Sequence, residues 1–372
     1  MQVVITKADL VTLIGKILNV VSTKPAMPIL ANILLEAVDG QLIVSGTDLT
    51  VSMRCYLSAT VLEEGAIALP ARRLFQLVRE LNPSEIKIST HTTENAEIAS
   101  GTSLFKIHGM SKMEFPHLPS LVGSPEAQFT SGQLREMFAK TVFAAAREDT
   151  RYTLNGVQLQ ISNRTATFIG TDGKRLAKAT TATAVDSSVQ GAYVIPIKAV
   201  EEMIHMLGEN DAKATLILSA DKVALECGQG MLITKLLAGQ FPEVERIIPK
   251  QTEHHFSVHR EELFALLRQV SLFTSQTSNS VRFLFEAGEL RLSAMSSEIG
   301  EGSVSMPVDF SGDRFEIAFN PFYFLDILRH SKDEVIRIGL NDPHNPALIT
   351  DSTQAQFVLM PMRLNEPAVA TV

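Results

Sequence analysis

One stretch of this 372-residue chain holds residues whose types and spacing could bind a phosphate: Gly170-Thr-Asp-Gly-Lys-Arg-Leu176, a glycine-rich turn followed by a lysine and an arginine. Backbone amides in such a turn, with a cation beside them, can cradle an anion. The spacing is not that of a nucleotide-binding loop, however, and Asp172-Gly173 is also a strong turn signal between the apolar run Ala166 to Ile169 and a second strand. A hairpin turn and a phosphate cradle therefore stand side by side as readings. No other chemistry is well supported. There is no His-Glu-x-x-His and no Gly-x-Ser-x-Gly, and neither cysteines nor histidines have zinc spacing. His254, His255 and His259 fall near a predicted domain join and His205 and His330 on predicted helices, where structural or solvent roles are expected. Cys55 and Cys227 lie on the apolar phase of alternating strands and read as buried small hydrophobes. An enzyme gripping a phosphorylated substrate at 170–175 would have no paired general base. The expectation is a protein that is not an enzyme and carries no metal or cofactor.

A second unusual stretch is Phe357-Val-Leu-Met-Pro-Met-Arg-Leu364. Proline is poorly tolerated in a central strand, so this segment should lie at an edge. Flexible methionines on both sides of the proline suit an adaptable apolar contact surface.

The elements that must position these residues recur three times, at a spacing of about 125 residues. Ala68-Leu-Pro-Ala-Arg-Arg-Leu-Phe-Gln-Leu-Val-Arg-Glu-Leu81, Val194-Ile-Pro-Ile-Lys-Ala-Val-Glu-Glu-Met-Ile-His-Met-Leu207 and Ala318-Phe-Asn-Pro-Phe-Tyr-Phe-Leu-Asp-Ile-Leu-Arg329 each run from a strand through a Pro or Asn-Pro signal into an amphipathic helix. Ile5-Thr6, Phe129-Thr130 and Phe256-Ser257 each open another helix. Gly46-Thr-Asp48 returns as Gly170-Thr-Asp172, and Glu114-Phe-Pro116 as Gln240-Phe-Pro242. A unit of this length can bury its own core. Three copies of one domain are expected, over 1–123, 124–251 and 252–372, joined near 119–128 and 249–255.

Within a copy, apolar residues at Leu10, Leu13, Ile14, Ile17, Leu18 and Val21 form a helical stripe, opened by a Thr6/Asp9 cap; Thr130 and Gln133 repeat the cap. Val51, Met53, Cys55, Leu57 and Val304, Met306, Val308, Phe310 alternate as half-buried antiparallel strands do. The class is α+β, with each copy a sheet covered on one face by two helices. Open sheet edges invite pairing. Tandem copies would cover the internal edges, and a second chain could cover the outer edges of copies one and three and close a ring.

The net charge of −8 is unevenly spread. The helical segments predicted at 7–24, 70–81, 131–147, 196–208, 259–270 and 320–332 carry +2, +2, +2, −1, 0 and +1, a total of +6, which leaves −14 elsewhere. A basic helical layer on an acidic body suits a protein that touches phosphates on one surface, and ordinary solvated helix faces would give the same count. No apolar run approaches the roughly 20 residues of a spanning helix, and the N-terminus has no secretion signal, so a cytoplasmic protein without a membrane partner is expected.

Met27-Pro-Ile-Leu-Ala-Asn-Ile-Leu-Leu35, Gly46-Thr-Asp48, Arg151-Tyr-Thr-Leu-Asn-Gly156, Gly170-Thr-Asp-Gly-Lys-Arg-Leu-Ala177, Phe241-Pro-Glu-Val-Glu-Arg-Ile-Ile-Pro249 and Met360-Pro-Met-Arg-Leu364 together resemble the bacterial DNA polymerase III beta subunits, the sliding clamps, in order from Met1 to Leu364. The resemblance implies three tandem clamp domains and a head-to-tail homodimer closed into a ring. Helices would line a central channel for double-stranded DNA, with antiparallel sheets outside. It implies a processivity factor that tethers the replicative DNA polymerase, the clamp loader and repair proteins through short linear peptides.

By position, the resemblance assigns DNA contacts to Lys24, Arg73, Arg79, Arg147, Tyr152 and Lys198. It assigns a peptide pocket to Leu154, Thr171, Gly173, Lys174, Arg175, Leu176, Pro242, Arg246, Ile247, Asn320, Tyr323, Met360, Pro361, Met362, Arg363 and Leu364. The dimer interface would join Phe105 and Ile107 to Leu272 and Phe273, with Arg73 and Lys106 facing Glu298 and Glu301. Three departures stand out. Lys174 replaces a frequent histidine, Glu148 adds negative charge beside Arg147, and residues 365–372 extend past the usual end of the family.

Overall fold

The computed structural model describes residues 1–363 apart from 83, 93, 186–188, 276–278 and 354; Leu364 and the extension 365–372 lie outside the described residues. The chain divides into two compact units, one of Met1–Glu136, Ile161–Arg164 and Ala182–Ala238, the other of Met137–Gln160, Thr165–Thr181 and Gly239–Val372. Each unit joins strands of the middle copy to those of one neighbour, because the copies pair through their sheet edges.

In the first unit a five-stranded sheet runs in the order Thr60–Glu63, Gln2–Thr6, Glu85–Thr92, Asn95–Ser100, Ser103–His108. An eight-stranded sheet follows the order Glu126–Thr130, Lys213–Leu218, Lys222–Cys227, Gly230–Lys235, Val51–Ser58, Gln41–Thr47, Asn32–Val38, Gly65–Pro70. First-copy and middle-copy strands meet where Val51–Cys55 lies antiparallel to Gly230–Thr234.

The second unit repeats the plan. Thr165–Thr171 is followed across the sheet by Arg175–Ala182, Gln356–Leu359, Ala347–Thr350, Val335–Leu340 and His254–His259. A four-stranded sheet has the order Gly300–Pro307, Glu289–Ser296, Val281–Glu286, Phe315–Phe319. Middle-copy and third-copy strands meet where Arg175–Lys178 pairs with Gln356–Leu359.

Six α-helices occur among the described residues, two per copy: α1 Lys7–Ile17, α2 Ala71–Glu80, α3 Ser131–Val142, α4 Ile197–Met206, α5 Arg260–Val270 and α6 Pro321–His330. Thr6 caps α1 by accepting from the Asp9 amide at 3.1 Å, and Thr130 accepts from the Gln133 amide at 3.2 Å. Asn320 caps α6 through the Phe322 amide at 3.0 Å. The predicted stripes face the core: Leu10, Leu13, Ile14 and Ile17 of α1 are buried, as are Leu263, Leu267 and Val270 of α5. In the third copy α6 buries Phe324, Ile327 and Leu328 against Phe283, Phe319, Ile336 and Phe357. Complete burial of each such side chain contributes roughly 1.5–3 kcal/mol.

Three helices are shorter than their sequence patterns, which corrects the charge estimate. Lys24, Arg147 and Lys332 lie past the ends of α1, α3 and α6, so the six observed helices carry +1, +2, +1, −1, 0 and 0, a total of +3 rather than +6. Lys140 of α3 is also withdrawn from solvent. It is fully buried with Asp351, 3.1 Å away, and donates to Thr353.

Gly46 and Gly170, equivalent in copies one and two, are places where nothing larger fits. A Cβ on Gly46 would stand 2.3 Å from Ile17 Cγ2, and one on Gly170 only 2.1 Å from the Thr141 carbonyl oxygen. The obstacle at Gly46 is a side chain that can shift, whereas at Gly170 it is backbone. Both alanine variants should be destabilised by about 1–3 kcal/mol, with Gly170→Ala the more severe. Equilibrium urea unfolding measures this, and a Gly170→Ala midpoint equal to wild type would contradict the close approach.

Candidate functional site

The Gly170–Leu176 turn is a hairpin whose loop amides are taken up by its own side chains. Thr171 Oγ1 donates to the Arg175 carbonyl at 2.6 Å and accepts from the Gly173 amide at 3.1 Å. Asp172 Oδ1 accepts from the amides of Lys174 and Arg175 at 2.8 and 3.0 Å. Gly173 sits at φ +83°, with the Arg151 guanidinium 3.2 Å from where a Cβ would be. The amides of Gly173, Lys174 and Arg175 are thus all committed, so the turn has none of them to offer a phosphate.

Arg175 organises the surroundings. Its guanidinium donates to Asp172 at 3.1 Å and to Asp326 of α6 at 2.7 Å, and lies over the rings of Tyr323, 4.5 Å, and Phe143, 5.6 Å. Asp326 also accepts from Arg329 at 2.9 Å. Behind this, Phe143 stacks on His330 with centroids 4.4 Å apart and planes 11° from parallel. Two carboxylates neutralise the guanidinium while aromatic faces cover it, which leaves a rigid and largely apolar wall.

The chain after Gln356–Leu359 runs beside this turn. The Met360 amide donates to the Lys174 carbonyl at 2.9 Å, and the Met362 amide donates to the Ala318 carbonyl at 2.7 Å. Pro361 lies between them, beyond the strand itself, which is where a missing N–H does no damage. Buried Leu154 and half-buried Asn320 and Tyr323 belong to the same unit, together with buried Thr171 and Leu176 and the exposed Lys174, Pro242, Arg246, Ile247 and Arg363. Thr153 donates to the Gln240 carbonyl at 3.4 Å, which ties the Leu154 segment to the start of the 242–247 stretch. Four further residues join the site that sequence reasoning left out: Phe143, Arg151, Asp326 and His330. Arg151 forms a two-point pair with Asp149 at 2.9 and 3.0 Å, which holds that carboxyl down to about 2.

The remaining assigned residues divide between the units. Lys24, Arg73 and Arg79 are exposed in the first, with Arg79 over the Phe75 ring at 5.6 Å; Arg147 and Tyr152 are exposed in the second. Lys198 is half-exposed and bound to Asp48 at 2.5 Å. Burial alone would raise the Asp48 carboxyl, but the Lys198 hydrogen bond and the Val51 and Thr50 amides outweigh it and hold it low. At the outer edge of the first unit, strand Ser103–His108 exposes Leu104 by 66 %, Phe105 by 40 % and Lys106, while Ile107 is already buried. At the outer edge of the second, Leu272 is 73 % exposed and Glu298 and Glu301 are exposed beside Met295 and Ile299, which the sequence did not single out. Phe273 is half-buried on Gly302, whose added Cβ would meet its ring at 2.5 Å.

Family models for the N-terminal, central and C-terminal domains of the DNA polymerase III beta subunit match residues 1–119, 128–243 and 245–363. This chain belongs to the DNA polymerase III beta subunit family, the sliding clamps. It is 48 % identical to the beta sliding clamp of Chlamydia muridarum over 98 % of this chain and 100 % of that one, and 29 % identical to that of Haemophilus influenzae over 98 % and 100 %. Among solved structures, the Pseudomonas aeruginosa sliding clamp bound to griselimycin superposes with a TM-score of 0.94 at 28 % identity, covering 98 % of this chain and all of that one. The Bacillus subtilis clamp gives 0.94 at 25 % over the same shares. The fold is three tandem clamp domains, and the function is that of a processivity clamp in DNA replication.

In this clamp the wall behind Arg175 contains a titratable ring. Burial lowers the pKa of His330 below its ordinary 6.5, against the opposing hydrogen bond to the Asp326 carbonyl. The folded state therefore binds its proton less readily than the unfolded chain, and stability falls as pH drops below about 6.5. His330→Phe keeps the stack on Phe143 and removes the proton. Unfolding free energies compared at about pH 7.5 and about pH 5.5 should show a smaller loss in the variant, and an identical loss would place the titrating group elsewhere.

Proposed function

We propose that this chain acts as a head-to-tail homodimeric ring around duplex DNA, without catalysis, in the cytoplasm. Its domains would span 1–123, 124–251 and 252–372, and it would hold the replicative polymerase, the clamp loader and repair proteins through short peptides. The observation that carries the peptide reading is the closed hydrogen bonding of the 170–176 turn. With its amides and Arg175 internally satisfied, what the site offers a ligand is apolar wall from Tyr323, Ile247, Met360, Pro361 and Met362, while Leu154 and Leu176 are buried and would support it from beneath. Such a surface takes Leu or Phe side chains rather than a phosphorylated substrate. Thr171, Gly173, Lys174, Arg175, Pro242, Arg246, Asn320 and Arg363 would shape its rim, with Leu364 assigned by resemblance alone. Deleting residues 360–364 should abolish binding of a fluorescent Leu- and Phe-containing peptide while leaving the oligomeric state unchanged. Unaltered peptide affinity would remove this groove from consideration.

The ring reading rests on the two outer edges. Phe105 and Leu104 near one and Leu272, Met295 and Ile299 near the other are exposed, as are the charged Arg73, Lys106, Glu298 and Glu301 that would rim them. Ile107 would support its own strand from beneath, and Phe273 would pack on Gly302 of the strand Gly300–Pro307. Loose phosphate contact would fall to Lys24, Arg73, Arg79, Arg147 and Tyr152, with Lys198 serving first as the partner of Asp48. Replacing Phe105 and Leu272 by Ala removes two side chains worth roughly 2–4 kcal/mol each at an interface centre. The double variant should sediment as a monomer with native circular dichroism, and should lose loader-dependent retention on nicked circular DNA. A variant that remains dimeric would move the interface to other residues.

A further inference from the structure

Three equivalent helix positions have different surroundings. Ten residues after the cap positions Thr6, Thr130 and His259 stand Lys16, Lys140 and Gln269; the first and third are exposed, whereas Lys140 is fully buried. Its ammonium lies 3.1 Å from the Asp351 carboxylate, with the two side chains 2 % and 1 % exposed, and it also donates to Thr353. A lysine withdrawn this far from solvent cannot meet a phosphate, so its charge serves a contact inside the molecule.

The partner comes from the third copy, in the turn that joins Ala347–Thr350 to Gln356–Leu359. At the first junction the corresponding hairpin, Lys222–Cys227 with Gly230–Lys235, closes through Gly228 and Gln229 and offers no carboxylate. Asp351 is braced by its own turn, accepting from the amides of Thr353 at 3.0 Å and Ala355 at 3.3 Å, while Ser352 Oγ donates to Asp333 at 2.9 Å. Lys140 thus pins a rigid turn of one copy onto a helix of another. The chain leaving that helix meets the same strand again, because the Phe143 ring lies 6.1 Å from Phe357 and 5.6 Å from the Arg175 guanidinium. The ladder between copies is also shorter here, four residue pairs against five at the first junction, so more of the strand's placement falls to side-chain contacts.

We propose that Lys140 is a positioning residue of the peptide site. Its buried pairing with Asp351 holds Gln356–Leu359 on the middle copy, and through that strand it sets where Met360 and Met362 stand beside the Gly170–Leu176 turn. This role presupposes that the groove beside Arg175 binds peptides. A wall fixed before the ligand arrives spares the ligand the cost of ordering it.

Lys140→Met leaves Asp351 an unpaired buried charge, so it is compared with Lys140→Met/Asp351→Asn, which is neutral and keeps an acceptor for the Thr353 and Ala355 amides. Hydrogen exchange of the full chain, read by mass spectrometry, should be at least about tenfold faster over residues 356–363 in both variants, with residues 230–237 at the first junction exchanging as in wild type. At a temperature well below every thermal midpoint, both variants should bind the fluorescein-labelled Leu- and Phe-containing peptide at least about tenfold more weakly, and Lys16→Met should bind it as tightly as wild type. A pair that merely added stability would leave that affinity unchanged, or would speed exchange in both segments alike, and either result overturns the proposal. Unchanged exchange over 356–363 overturns it too. Peptide binding that survives deletion of 360–364 would instead overturn the peptide reading, whereas the exchange comparison judges the Lys140 contact by itself.

Discussion

Unpaired backbone at a sheet edge is the constraint on which this molecule depends. A row of free N–H and C=O groups must find partners or be protected. Here Val51–Cys55 is completed by Gly230–Thr234, and Arg175–Lys178 by Gln356–Leu359. Each ladder makes a single sheet from two copies of the repeat. The second also creates the candidate site, since it is the register Arg175↔Leu359 that sets Met360 against the Lys174 carbonyl and carries Met362 on to Ala318. The strands Ser103–His108 and Gly300–Pro307 each have one described neighbour only, and there the chain places exposed apolar and charged side chains.

Much of the fold was legible because it is periodic. The stripes of α1 and α5, the Thr6, Thr130 and Asn320 start signals and the threefold recurrence all follow from spacing. The helix ends were not legible, for identifiable reasons. After Ile17 the apolar pattern runs on through Val20 and Val21, both buried, although the chain has left the helix. Burial satisfies the pattern without requiring helical backbone. After Val142 the run Ala144-Ala145-Ala146 favours helix by propensity. Even so, Ala144 and Ala145 donate to carbonyls three residues back and the Ala146 amide donates to Leu154, so tertiary contacts decide the outcome.

The site was legible in proportion to how local its interactions are. The Asp172-Gly173 turn and the Met-Pro-Met segment announce themselves through residues whose neighbours in sequence explain them. Asp326 does not, because its role comes from Arg175, 151 positions earlier. Phe143 and His330 read as ordinary helix-end residues until their rings are found stacked. Lys198 illustrates the converse: an isolated cation in sequence is half of an ion pair in space.

That ion pair also bears on why one junction between copies differs from the other. The turn Thr47–Val51 repeats the hydrogen bonds of Thr171–Arg175: Thr47 donates to the Val51 carbonyl at 3.1 Å, and Asp48 accepts from the amides of Thr50 and Val51 at 2.8 and 2.7 Å. The Lys235 amide meets the Thr50 carbonyl as the Met360 amide meets that of Lys174, and the Leu237 amide meets Val194 as the Met362 amide meets Ala318. The backbone framework is therefore built twice, and only the side chains distinguish the two. Where the second junction has Arg175, reaching out to Asp326 and Tyr323, the first has Val51, wholly buried. Asp48 is bound instead by Lys198 from the first turn of α4, a position that in α6 is occupied by the exposed Phe322. Lys198 reaching in to Asp48 at the first junction and Arg175 reaching out to Asp326 beneath the Tyr323 ring at the second are alternative ways to finish the same hairpin.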